Sequence, residues 1–253
     1  MIFGLLGKNI SYSYSKKIHE FVFNYYNLDH KYFLFDVNED ELDNFFQDFK
    51  DGKIKGINVT IPYKERVLKY LDELDNSAKI LGNVNTIINN NGKLKGYNTD
   101  YFGFDYLLKF YNIVPKNDDY VYILGTGGAA KTCRAVCLKY TNNIKLVSRN
   151  LCLDDVINYD NLYDKKIDYL INATPMGDRN HLGKMLVKPN VVLNSNIVID
   201  LIYNPKQTHL LMCAKNGYNG LIMLISQALE ADKLFLDIDI DKNLYKRVGE
   251  LFE

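Results

Sequence analysis

Residues 120–130 read YVYILGTGGAA, an apolar run that stops at three glycines and passes into a helix-compatible stretch from Ala129 to Tyr140. The apolar run suits a short buried strand. The next six residues, Gly125 to Ala130, match GxGxxG/A with alanine in the third glycine position. The first glycine permits the tight turn, the second admits a pyrophosphate against the backbone, and the helix start offers unpaired N–H groups to the anion. Gly125, Gly127, Gly128 and Ala129 are therefore candidate cofactor-binding residues. The competing reading is a strand-to-helix turn that binds nothing.

Further along, the strand IKLVS (144–148) ends in Ser148-Arg149-Asn150. A carboxylate here would accept hydrogen bonds from a ribose 2′-OH, whereas an arginine favours a 2′-phosphate. No acidic residue follows before Asp154, so NADP(H) is expected over NAD, with Arg149 as its cation. A solvent-facing arginine is the bland alternative. DYLINA (168–173) and IVIDLI (197–202) continue the series, each short, apolar and followed by a turn or helix, as a doubly wound sheet requires. Residues 221–236 and 242–252 read as helix.

Toward the N-terminus the order is also βαβα: IFGLL (2–6), a helix with Ile18, Phe21, Val22 and Tyr25 on one face, KYFLF (31–35), and a helix around 40–49. GINV (56–59) follows, then a helix carrying Val67, Leu68 and Leu71. A hairpin is expected next, with VNTII and KLKGY flanking the turn-forming Asn89 to Gly92. A mostly parallel sheet with a hairpin at one edge accommodates these pieces.

The chain has 253 residues, enough for two lobes. Lys plus Arg equals Asp plus Glu at 31 each, so there is no basic field for nucleic acid or for a membrane surface. No stretch approaches the roughly 20 apolar residues needed to span a bilayer, and no signal-peptide pattern opens the chain, so a cytoplasmic protein is expected. Cys133, Cys137, Cys152 and Cys213 show neither CxxC pairs nor zinc-ligand spacing. Neither disulfides nor a metal site is expected.

Several residues outside the glycine loop could carry chemistry. In Asn58-Val59-Thr60-Ile61-Pro62-Tyr63-Lys64, Pro62 suits a first helical position, which would put Lys64 in the first helical turn against the macrodipole. A cation that breaks that rule is either functional or a solvated neighbour of Glu65. Asp100 closes GYNTD just before a helix, where Thr99 or Asp100 caps it. Asn85, inside an apolar strand, needs partners from a ligand or from nearby backbone. Ser11, Ser13 and Ser15 follow the first strand, at the end where α/β sheets bind ligands, with Ser15 as a helix N-cap the plainer reading. His19, His30, His181 and His209 are read as structural or exposed.

Taken in order, these segments resemble the shikimate dehydrogenase family along nearly the whole chain. The matching elements are Ser13-Tyr14-Ser15 with Ile18-His19, NVTxPxK at 58–64, GxVNT at 82–86, GxNTDxxG at 96–103 and the glycine loop. Then come the strand-end arginine, NATPxG at 172–177, YNPxxT at 203–208 and GLxMLxxQA at 220–228. The resemblance implies an N-terminal α/β substrate lobe, residues 1–101 completed by C-terminal helices 227–253, and a doubly wound Rossmann-type dinucleotide lobe at 102–226, with the active site in the cleft. It implies Lys64 and Asp100 as the catalytic pair. Ser13, Ser15, Thr60, Asn85, Gln227 and Tyr203 would bind substrate, and Thr174 and Gly220 would join the cofactor residues, with Tyr203 and Gly220 at the nicotinamide end. The implied reaction is reversible NADP(H)-dependent reduction of 3-dehydroshikimate to shikimate in chorismate and aromatic amino-acid biosynthesis, by a monomer or homodimer. Departures are Tyr12 and Lys16, where the family has His and Pro around its serines, and Leu153, where a second basic residue is usual. They keep open a quinate/shikimate dehydrogenase of looser cofactor choice. A non-catalytic metabolite sensor is the other alternative, opposed by the retention of Lys64, Asp100 and Gln227.

Overall fold

A computed structural model describes residues 1–11, 13–150 and 155–252. The chain divides into two compact units, Met1–Gly103 with Ile225–Glu253, and Phe104–Leu224.

The first unit contains β1 (Ile2–Gly7), α1 (Ser15–Tyr25), β2 (Lys31–Asp36), α2 (Leu42–Lys50), β3 (Gly56–Val59), β4 (Glu73–Leu74), α3 (Asn76–Leu81), β5 (Thr86–Asn90) and β6 (Lys93–Tyr97). A helix α4 (Thr99–Phe110) continues from it into the second unit. The sheet order is β2-β1-β3-β5-β6-β4, with β1, β2 and β3 parallel and β5 antiparallel to both β3 and β6. Alternation along β1 explains its unbroken apolar sequence. Leu6 enters a core with Phe46 and Phe49 of α2, while Phe3 and Leu5 enter another with Phe23 of α1 and with Ala231 and Phe235 from the C-terminal helix. Helices thus cover opposite faces, and the carboxyl ends of β1 and β3 lie side by side where the crossovers diverge, the place such sheets reserve for ligands.

Two local expectations are corrected here. The hairpin turns through Asn91 and Gly92, both at positive φ, as a two-residue type I′ turn requires, but it is not at the sheet edge: β5 is internal and β4 covers the outer side of β6. The helix expected after Pro62 is only a 3-10 segment, Arg66–Tyr70. Tyr63 is the reason. Its ring is buried, its N–H donates to the Thr60 carbonyl at 2.9 Å and its hydroxyl to the Val37 carbonyl at 2.7 Å, so residues 60–63 form a turn pinned to the core before any helix begins. Pro62 is therefore not a first helical residue and Lys64 does not oppose a helix dipole.

The second unit contains β7 (Val121–Leu124), α5 (Gly128–Cys137), β8 (Ile144–Val147), β9 (Val156–Ile157), β10 (Ile167–Asn172), α6 (Pro189–Leu193), β11 (Ser195–Asp200), α7 (His209–Met212) and β12 (Gly217–Asn219). Its sheet, β12-β11-β10-β7-β8-β9, is parallel throughout. Counted within the unit this is the doubly wound order 3-2-1-4-5-6, whose switch point falls between β7 and β10. Helix α8 (Leu221–Leu236) returns the chain to the first unit, and α9 (Asn243–Gly249) follows. Among the described residues no helix is long and apolar enough to cross a membrane.

Candidate active site

In the first unit, the loops leaving β1 and β3 are held together by the Thr60 N–H, which donates to the Leu6 carbonyl at 2.9 Å. After β1, the Ser13 hydroxyl donates to Ser15 Oγ at 3.0 Å and accepts from the Ser15 N–H at 3.2 Å. Ser15 is thus the first residue of α1 and not its cap, and Ser13 satisfies the exposed amide. Both serines are half-buried. After β3, the Lys64 ammonium donates to Asp100 Oδ2 at 2.5 Å, with side chains 29% and 21% exposed. Asp100 lies in the first turn of α4, where a carboxylate complements the helix dipole. This pair keeps access to solvent and to a reactant.

Asn85 ties these pieces together. Its Oδ1 accepts from the Thr99 N–H at 2.7 Å and its Nδ2 donates to Thr99 Oγ1 at 3.0 Å, so the residue preceding Asp100 is fixed by an amide that is itself only 3% exposed. Thr99 Oγ1 also lies 3.5 Å from Gln227 Oε1 of α8. Asn85, Gln227, Lys64 and Asp100 thus form one cluster. Behind it runs a buried chain that motif reading passes over: the Tyr32 hydroxyl donates to Asn58 Oδ1 at 2.7 Å, and Asn58 Nδ2 donates to Thr86 Oγ1 at 3.0 Å. Thr86 Oγ1 in turn donates to Asn85 Oδ1 at 3.1 Å.

In the second unit, Gly125 has φ +108 and a Cβ there would stand 2.9 Å from the Thr174 methyl carbon, so both conformation and space demand glycine. Thr174 of the NATP turn therefore lies directly beside the glycine loop, across the switch point. Gly127 precedes α5 with extended backbone, and among the described residues no side chain caps that helix and a Cβ on Gly127 or Gly128 would meet nothing within 4 Å. Exposed amides at an uncapped helix start, with free space before them, suit a pyrophosphate. Gly127, Gly128 and Ala129 are exposed, whereas Ala130, in the third glycine position, is buried. Beyond β8, Arg149 is exposed and makes no hydrogen bond or ion pair among the described residues. Leu153, together with Tyr12, Cys152 and Asp154, lies outside the described residues.

Asp200, at the end of β11, gathers the neighbouring loops. It accepts from Asn172 Nδ2 at 2.9 Å, from the Ile202 N–H at 3.1 Å and from the Thr208 hydroxyl at 2.6 Å. Burial raises its pKa against the pull of those three donors. Asn172 Oδ1 accepts from the Thr174 hydroxyl at 2.6 Å, so the clasp fixes the NATP turn as well as the 203–208 segment that carries half-buried Tyr203. Asp200 sits in no motif read above, and its signal was only an acid ending an apolar strand. Gly220 has a backbone reason to be glycine: a Cβ would stand 2.0 Å from the Leu201 carbonyl oxygen. Gly220→Ala is expected to cost about 2–3 kcal/mol in urea unfolding, from a clash the backbone cannot relieve by rotamer change. Among the described residues no cluster of His, Cys, Asp or Glu is fit to hold a metal. Cys133 and Cys137 are buried, and burial pushes the Cys137 thiol up to about 12, which makes it inert.

A family model described as shikimate dehydrogenase substrate binding domain matches residues 5–87. The chain is 38% identical over 264 residues to the shikimate dehydrogenase (NADP(+)) of Clostridium beijerinckii, covering 99% of this chain and 97% of that protein. Among solved structures it is similar to a chorismate mutase/shikimate 5-dehydrogenase fusion protein from Clostridium acetobutylicum, with 36% identity, a TM-score of 0.95, and coverage of 100% of this chain and 96% of the other. A shikimate 5-dehydrogenase from Thermus thermophilus, in complex with NADP(H) and shikimate, has 25% identity, a TM-score of 0.87 and coverage of 99% and 98%.

Proposed function

Since this chain belongs to the shikimate dehydrogenase family, we propose that it catalyses the reversible NADP(H)-dependent reduction of 3-dehydroshikimate to shikimate, with Lys64 and Asp100 handling the proton. The observation that carries the assignment of roles is the half-exposed Lys64–Asp100 contact at 2.5 Å, set at the carboxyl end of a sheet whose other loop there holds Ser13 and Ser15. When bound, NADPH supplies the hydride. As negative charge grows on the substrate oxygen, the Lys64 ammonium stabilises it and transfers a proton to it, leaving an alcohol and a neutral amine that solvent reprotonates. Asp100 orients Lys64 and accepts a hydrogen bond from the reacting hydroxyl, whose proton passes to the neutral Lys64 amine in the reverse direction. Ser13 and Ser15 hold the substrate carboxylate, and Thr60, Asn85, Gln227 and Tyr203 take its hydroxyls.

The residues present fit the cofactor. The open amides ahead of α5 would hold the pyrophosphate, with Gly125, Gly127, Gly128 and Ala129 leaving room for it. Arg149 would take the 2′-phosphate, and Thr174 and Gly220 would border the nicotinamide. We take the first unit as the substrate lobe and the second as the dinucleotide lobe of a cytoplasmic enzyme, monomeric or homodimeric, with no affinity for nucleic acid or membranes.

Oxidation of shikimate followed by the absorbance of reduced nicotinamide tests the proposal. Turnover with NADP is the expected result, and binding of shikimate without turnover would favour the metabolite sensor. Cofactor choice gives a sharper result. One arginine at the strand end, with no acidic residue following it before Asp154, should favour NADP over NAD in kcat/KM by about tenfold to a few hundredfold, roughly 1.4 to 3.5 kcal/mol. Arg149→Ala should remove most of that by weakening NADP while NAD kinetics stay nearly unchanged. An enzyme that prefers NAD, or a variant with unaltered NADP affinity, would reverse the assignment.

A further inference from the structure

One buried pair in the first unit is unused by the chemistry above. His19 of α1 donates from or accepts at Nδ1 against Asp232 Oδ1 of α8 at 2.7 Å, with the side chains 1% and 0% exposed. The other carboxylate oxygen, Oδ2 of Asp232, has no hydrogen-bond partner among the described residues. The surroundings are aromatic: Phe23 and Phe235 stand near the imidazole at ring-centre distances of 6.5 and 5.8 Å. Asp232 lies on the face of α8 that buries Ile225, Ala228, Leu229 and Phe235, a stripe in which helical spacing calls for an apolar residue. Burial raises the Asp232 pKa, and His19 only partly offsets this. Packed hydrophobic residues of similar volume often stabilise a core better than such a pair. Its presence therefore points to a task other than stability.

The task is visible in what lies against it. The His19 ring stacks on Tyr32, with centres 4.3 Å apart and planes 13° from parallel. The Tyr32 phenol donates to Asn58 Oδ1 at 2.7 Å. Ser15, one turn before His19 on α1, leads to Ser13, and Asn58 leads through Thr86 to Asn85 and Thr99. One imidazole thus stands between the helix that begins at Ser15 and the phenol that leads to the cluster fixing Asp100.

We infer that His19 and Asp232 are positioning residues for substrate binding: Asp232 locks the His19 ring, the anchored imidazole places the first turn of α1 with Ser15 and fixes Tyr32, and Tyr32 holds Asn58 in register. The inference rests on the reading that Ser13 and Ser15 grip the substrate carboxylate and that Asn85 takes a substrate hydroxyl. Its consequence falls on the affinity for shikimate, not on the proton transfer at Lys64.

Steady-state kinetics on the full chain tests it. Asp232→Leu should raise KM for shikimate about tenfold, with kcat within threefold and KM for NADP unchanged. Asp232→Asn, which can still accept from His19 Nδ1, should restore KM to within twofold of the wild type. Tyr32→Phe removes only the phenol oxygen and should reproduce the tenfold rise even if Asp232→Leu fails to fold. The Asp232→Leu, Tyr32→Phe double variant should then show little further loss. An unchanged KM in Tyr32→Phe overturns the inference. So do multiplying effects in the double variant, or a lowered Tm with unchanged KM in Asp232→Leu, each of which marks a purely structural pair. A wild-type chain that neither binds nor oxidises shikimate overturns the site reading itself, and the inference with it.

Discussion

Lys64→Ala is expected to slow shikimate oxidation about a hundredfold to ten-thousandfold while weakening shikimate binding only a few fold. The ammonium meets its full partner only when charge develops on the reacting oxygen, so its loss falls on the transition state. The structure makes the test clean. Lys64 is 29% exposed and Asp100 21%, so the substitution strands no fully buried carboxylate, and the backbone N–H of Val84 still donates to the residue 64 carbonyl. Turnover numbers paired with calorimetric Kd values for shikimate separate the two effects. Near-normal turnover would remove Lys64 from the chemistry.

Gly127→Val should abolish dinucleotide binding, with the Kd for NADP rising beyond a hundredfold and shikimate affinity unchanged. Gly127 has φ −76 and extended backbone, a conformation valine accepts, and its Cβ would point into open space. The chain itself has no objection to the side chain, so what is lost is the room before the α5 amides. Calorimetry on each ligand separately decides the matter. Equal loss of both would mean misfolding, and retained NADP affinity would place the pyrophosphate elsewhere. Gly125→Val would be a poor substitute, because positive φ and the Thr174 methyl would disturb the fold as well.

What was legible in the sequence was what short stretches of backbone decide. The glycine loop could be read because strand, turn and helix start lie within eleven residues and each glycine answers a local demand. The second sheet followed, since parallel strands buried on both faces announce themselves as apolar runs. The turn at residues 60–63 was misread because its conformation depends on Tyr63 reaching Val37, a contact that local propensity does not report. The hairpin was recognised from its Asn-Gly turn, but its place inside the sheet depends on β4, two residues long and without any pattern of its own. The network through Tyr32, Asn58, Thr86 and Asn85 was hidden for a related reason. Its members come from three strands and the segment before β5, and only strand register makes them neighbours. Asp232 was invisible because an acid in a helix normally reads as a solvent face.

The first unit is assembled from two stretches of chain with residues 104–224 between them, and this imposes an order on its biosynthesis. Phe3, Leu5, Phe23, Tyr32 and Ile88 share their core with Ala231 and Phe235, and Gly56 lies under the Phe235 ring. On the ribosome, β1 to β6 therefore emerge with one apolar face lacking its cover. At a synthesis rate of about 5–20 residues per second, roughly seven to twenty-eight seconds separate Tyr97 from Phe235. The second unit, continuous in sequence, can complete its parallel sheet within that interval. The nascent chain thus carries an exposed aromatic surface while its second unit is already closed, and this is the window in which a holding chaperone has most to gain from binding it.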